Sequence, residues 1–271
     1  MIPLTAKIEE AILNLDLVQS LKKPAGFFDP SNPLNERLSN EDKEDEEEKP
    51  LAERSRNSRS PMLSFSNTDM AFSGNVMVAG SYHGFNIYNL DNQGHAKLVS
   101  SVICPGGQGD VSIVGNLLIM SVEQNRGRID CGLQGAGTEP NPERFRGIRI
   151  FDISDLKRPQ QVGAVQTCRG SHTHSVVSGP DENGIIIVYN SGTSSVRDQE
   201  ELESCFEAIP GDNRTALFRI DVIEIPVADP SQAKIVKSPT VFADPETGAL
   251  AGLWRGGDHG DDTQDTSRTD E

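Results

Sequence analysis

The sequence predicts an all-β fold, a β-propeller made of units of four short antiparallel strands. Three observations predict it. From Asp69 onward the chain is a succession of short β-rich runs divided by turn signals, with almost nothing of helical period. Two units begin 41 residues apart, at Asp69 and Asp110, and each carries a Gly-Asn pair at the same interval, Gly74-Asn75 and Gly115-Asn116. The N-terminal piece LDLVQSLKKPAG matches the last strand of such a unit, with Leu17-Val18 falling where Leu98-Val99 falls. A period of this size is that of a propeller blade, whose flat faces are buried only by stacking on neighbours.

Residues 1–26 therefore read as an N-terminal segment holding one orphan strand, the piece that in a closed propeller completes the last blade. Residues 27–62 have a different composition. Within them ERLSNEDKEDEEEK sets eight acids against three bases. Such a segment buries too little apolar surface to offset its ordering entropy, so it reads as an acidic, disordered linker or insertion.

Residues 63–271 carry the blades. The first unit reads DMAFSGNVMVAG, GFNIYNL and KLVSSVICPGG; the second reads DVSIVGNLLIMS, GIRIFDI and QVGAVQTCRG. A third begins at His174, delayed to 64 residues by an insertion over roughly 125–146. It continues through IIIVYNSG and, past a second insertion near 191–215, through ALFRIDVIEI and AKIVKSPTVF. After it comes the polar run RGGDHGDDTQDTSRTDE, with no closing strand. Three blades and an orphan strand fall short of the usual minimum of four, so the expectation is the N-terminal part of a longer propeller, for which seven blades is one closure.

Composition narrows the partners. The chain has 271 residues, and 25 Lys+Arg against 41 Asp+Glu give a formal charge of -16. That balance argues against nucleic acid or an anionic membrane surface and favours cations. No run approaches the roughly 18 apolar residues of a membrane span. The first residues lack a signal-peptide pattern, since Glu9, Glu10 and Asp16 interrupt the apolar stretch, which taken literally reads as cytosolic. Four cysteines and an Asn-x-Thr sequon at Asn213 fit an exported protein better, and the compartment stays open between the two.

GIRIFDISDLKRPQQVGAV, residues 147–165, resembles the repeat of LVIVD-repeat proteins: an apolar strand ending in Asp, a Ser-Asp-x-x-x-Pro turn, then a Val-rich strand. GFNIYNLDNQGHAKLVSSV is a looser copy without the Pro. The resemblance covers roughly residues 60–271. It implies a β-propeller, often exported and surface-associated, in a group with no established enzymatic activity as a whole. It therefore bears on the fold more than on the function.

Aligning the units gives the candidate chemistry. Cys104, Gly106, Gln108 and Asp110 fall on Cys168, Gly170, His172 and His174. The first strand of a blade lines the central channel, so Asp69, Asp110 and His174 should stand at similar depth, with Gln108 and His172 nearer the rim. Such a ring could hold a divalent metal ion, and the His172/His174 pair suits zinc, copper or iron. In the alternative, the same groups satisfy buried backbone or ordered channel water. A further ligand is sought in GGDHGDD, at His259 or Asp258, where a solvated loop is the competing reading.

Cys131 and Cys205 both lie in insertions, and flexible loops meet disulfide geometry more easily than fixed strand ends, so a Cys131 to Cys205 bond is expected. No Cys-x-x-Cys, Gly-x-Ser-x-Gly elbow or phosphate-binding glycine loop occurs. Two functions follow. One is a non-enzymatic propeller that binds a protein or small-molecule ligand on the face built from the insertions. The other is a metal-dependent oxidoreductase or hydrolase with His172, His174, Asp110 and Asp69 at the channel mouth.

Overall fold

The computed structural model describes residues 16–28, 65–138, 140–207 and 214–241. Among these are twelve β-strands and no α-helix. Sheet I holds β1 (Asn67–Ser73), β2 (Val76–Ser81), β3 (Gly84–Leu90) and β4 (Ala96–Ile103). Sheet II holds β5 (Gln108–Val114), β6 (Leu117–Val122), β7 (Gly147–Asp152) and β8 (Gln160–Gln166). Sheet III holds β9 (Thr173–Ser178), β10 (Ile185–Ser191), β11 (Asp221–Pro226) and β12 (Lys234–Lys237). Each sheet is antiparallel with its strands in sequence order.

The repeated Gly-Asn pairs are two-residue hairpins. Ser73 pairs Val76 and Val114 pairs Leu117, and Gly74 and Gly115 both sit at φ +59°. A side chain at either glycine would meet no neighbour, so what selects glycine there is backbone conformation rather than space. Sheet III replaces this turn with a longer one, where the Asp181 carboxylate accepts the Asn183 and Ile185 N–H groups.

Strand alternation decides which sheets meet. Val78, Phe85 and Ile87 of sheet I pack on Val111, Leu118, Met120 and Phe151 of sheet II. On the opposite face of sheet II, Ile119, Ile148 and Ile150 pack on Ile186, Val188, Ile223 and Ile225 of sheet III. A sheet with apolar residues at both i and i+1, as in the LLIMSV run of β6, is buried on both faces, and only a middle layer can use it. The first strands are the contact line: β1 lies against β5, and β5 against β9. Gly80 and Gly109 permit this approach, because a Cβ at Gly80 would run into the Gly109 carbonyl.

Three expectations change. The disulfides join Cys104 to Cys131 and Cys168 to Cys205, not Cys131 to Cys205. Each insertion folds back over the entrance of its own sheet, which puts Cα atoms 4.5 Å and 5.2 Å apart, within bonding reach. The ALFRI half of ALFRIDVIEI stays outside the ladder, with Phe218 at φ +55°, and β11 begins only at Asp221. Residues 16–24 form no strand; they cross the outer part of sheet I, where Gln19 accepts the Ala96 N–H and Phe27 is buried against His83.

Candidate functional site

Asp69, Asp110 and His174 occupy matching places on β1, β5 and β9. The Asp69 carboxylate accepts the Val111 N–H at 3.0 Å, and the Asp110 carboxylate accepts the His174 N–H at 2.9 Å. Each first-strand acid thus satisfies a backbone donor of the next sheet, where a bulge in the first strand of sheets I and II breaks the regular ladder. The acceptor position repeats in successive sheets, while the donor moves by one residue, from the one after Asp110 to His174 itself.

His174 continues the row with a different chemistry. Its Nδ1 lies 3.1 Å from Asp110 Oδ2 and 2.8 Å from Ser121 Oγ, which in turn meets Ser171 Oγ at 2.7 Å. A carboxylate only accepts, so Nδ1 carries the proton shared with it. The ring is closed off between sheets II and III, and its Nε2 has no hydrogen-bond partner among the described residues. Burial pushes the Asp110 carboxyl up, but the His174 ring and N–H, with Asp69, hold it below the ordinary carboxylate value.

His172 turns elsewhere. Its Nδ1 is 2.8 Å from Glu123 Oε2, and the Gln108 amide nitrogen reaches it at 2.7 Å. Glu123 is nearly buried because its other oxygen accepts both the Thr193 N–H at 2.6 Å and the Thr193 hydroxyl at 2.9 Å. The imidazole itself is about half exposed. The expected neighbours Gln108 and His172 are therefore brought together, while His172 and His174 serve different partners. Among the described residues no group of three or more His, Cys, Asp and Glu side chains is placed to hold a metal ion. His259 and Asp258 lie outside the described residues.

The described parts of the two insertions, within 123–146 and 192–220, are bound to this cluster and to each other. The buried Glu201 carboxylate accepts from Arg144 at 2.9 Å and from Arg197 at 2.9 Å, and it also accepts the Asn141 N–H at 2.6 Å. Arg146, fully buried, donates to Asn125 in one insertion and to Ser194 and Ser195 in the other. Arg149 points from β7 beneath the first insertion, donating to the Ile129 and Arg128 carbonyls with its guanidinium 4.1 Å over the Phe145 ring. Burial lowers it to about 10, partly countered by Asp130. With the two disulfides, these contacts fix a surface on which Ile129 and Leu133 stand half exposed.

Glu123, Ser121, Thr193 and Glu201 were not singled out from sequence. Glu123 and Thr193 share one signal, since each stands at the exit of the second strand of its sheet. Glu201 has a local partner in Arg197, 4 residues away, but no sequence signal for Arg144, 57 residues away. No protein-family model matches the chain, and no curated protein matches it.

Proposed function

We propose that the three sheets are successive blades of an LVIVD-type β-propeller and that the chain is a non-enzymatic binding module. Its ligand is a protein, engaged by the face that the two insertions build. The observation that carries this is the fixation of both insertions by the same device, one disulfide each, together with the Glu201 and Arg146 contacts between them. Loops held this firmly are pre-organised, which lowers the ordering cost of association. Ile129 and Leu133, half exposed, supply apolar contact area of the kind a protein-binding patch uses.

Two disulfides favour an oxidising compartment in this reading, in line with the export that the LVIVD resemblance implies. The acids of the first-strand row act in this reading as inter-blade fasteners, since both are spent on backbone N–H groups.

The test compares affinity capture by the full chain with capture by an Ile129→Asp/Leu133→Asp variant and by Leu98→Asp, a change on the far edge of sheet I. A partner held by the full chain and by Leu98→Asp but lost from the double variant is expected. A partner set unchanged by the double variant overturns the face assignment. Stoichiometric metal in the purified chain that disappears in both His172→Ala and His174→Ala would replace this reading with the metal-dependent one.

A further inference from the structure

The contact between sheets II and III encloses a set of polar side chains. Ser121 and Ser171 are fully buried, Asn190 is 1% exposed and the His174 ring is closed off completely. His174 and Asn190 stand directly opposite each other on β9 and β10, so their side chains leave the same face of sheet III with Cβ atoms roughly 5 Å apart. Each carries a buried atom without a hydrogen-bond partner among the described residues, Nε2 of His174 and Oδ1 of Asn190. The other end of each is held: His174 Nδ1 meets Asp110 and Ser121, and Asn190 Nδ2 donates to the Gly170 carbonyl at 3.2 Å.

The direction of each bond follows from what its atoms can do. A carbonyl only accepts, so the amide nitrogen of Asn190 is the end at Gly170 and its oxygen is the acceptor left over. A carboxylate only accepts, so the His174 proton sits on Nδ1, and Nε2 of the neutral ring is an acceptor as well. Ser121 Oγ accepts from that Nδ1–H, and its own proton goes to Ser171 Oγ at 2.7 Å. The Ser171 proton is then left to donate, and Ser171 directly follows Gly170, on which Asn190 is anchored. Two buried acceptors and one buried donor are thus gathered into one place.

We infer that this place binds a single water molecule, which donates to His174 Nε2 and Asn190 Oδ1 and accepts from Ser171 Oγ. About three hydrogen bonds is the usual complement of an internal water, and a buried acceptor left unmade is costly. A divalent cation fits worse, because two neutral ligands fall short of the four that zinc takes and the Ser171 proton points the wrong way for a metal. The water closes a chain of bonds from Asp110 on β5 through His174 on β9 to Asn190 on β10, so sheet II is tied to two strands of sheet III at once. It also accounts for a histidine where the first two sheets carry aspartate: an imidazole offers a donor on one side and an acceptor on the other, which an ionised carboxylate does not. This inference rests on the packed contact of sheets II and III and not on the insertion face, so either can fail without the other.

The test uses the full chain. Long-range proton–nitrogen NMR of the histidine rings, with the His174 signals identified by their loss in His174→Gln, should show the proton on Nδ1 and a bare Nε2. Oxygen-17 relaxation dispersion of water counts long-lived internal waters. Asn190→Leu, close in volume but without the acceptor, should show one fewer than the unaltered chain, with both disulfides and the circular dichroism retained as the sign of folding. A crystal structure of the unaltered chain needs no variant, and should show one solvent peak within hydrogen-bond distance of His174 Nε2, Asn190 Oδ1 and Ser171 Oγ. A proton on Nε2, an equal water count in the folded Asn190→Leu variant, a metal ion at the site, or a crystal structure with no solvent peak there overturns the inference.

Discussion

The Asp110 carboxylate meets both the N–H and the ring of His174, and its pH response follows from these contacts. A carboxyl held below its ordinary value contributes stability that is full above the unfolded carboxylate pKa and is lost as pH falls through the lower folded value. Asp110→Ala, which leaves the buried His174 N–H and ring without their acceptor, should cost about 1–3 kcal/mol at neutral pH. Asp110→Asn, which keeps an acceptor but no charge, should cost less there and should flatten the acid limb of stability. Urea unfolding of both variants from neutral to acid pH checks this; an acid limb unchanged in Asp110→Asn would show that Asp110 does not carry it. The position was legible in the sequence because the repeat places Asp110 on Asp69. Its backbone partner was not, because that N–H belongs to a strand 64 residues away.

The insertions show at the scale of elements why cysteines pair as they do. Cys104 and Cys168 enter sheets II and III, and Cys131 and Cys205 lie in the excursions that leave and re-enter those same sheets. Closing loops of 27 and 37 residues, each bond removes unfolded-chain entropy worth about 3–4 kcal/mol. Cys131→Ser and Cys205→Ser should each lower thermal stability by that order, and peptide mapping without reductant should recover Cys104 with Cys131 and Cys168 with Cys205. A Cys131 to Cys205 peptide would overturn the fold-back of the insertions. Sequence spacing showed the repeated position of Cys104 and Cys168 and the shared loop setting of the other two. It did not show that a loop turns over its own sheet, because contacts that hold the loops there, Glu201 to Arg144 and Arg146 to Asn125 and Ser194, join residues 57, 21 and 48 apart.

Over the whole molecule, stability is passed along a stack. Sheet II is the only one of the three described sheets buried on both faces, so a cavity in it loosens a neighbour rather than only itself. Ile150→Ala, on the face toward sheet III, should cost about 2–5 kcal/mol. Hydrogen exchange should then quicken first in β9 to β12 and leave the contact of sheet I with sheet II largely protected. Uniform loss of protection across all three sheets would mean that the stack unfolds as one unit instead of layer by layer.

The sequence by itself determined the all-β character, the four-strand unit and its repeat, the two Gly-Asn hairpins and the matching of Asp69, Asp110 and His174. These are local properties: a period of two along a strand, a positive φ that glycine tolerates, and a spacing that survives repetition. Only the tertiary structure decided that the two acids bind backbone of the next sheet, that His172 goes to Glu123 while His174 goes to Asp110, and which cysteines meet. Each of those depends on which surfaces lie side by side after stacking, and a side chain hydrogen-bonds to what packing brings within 3 Å of it, not to what is near it in the chain.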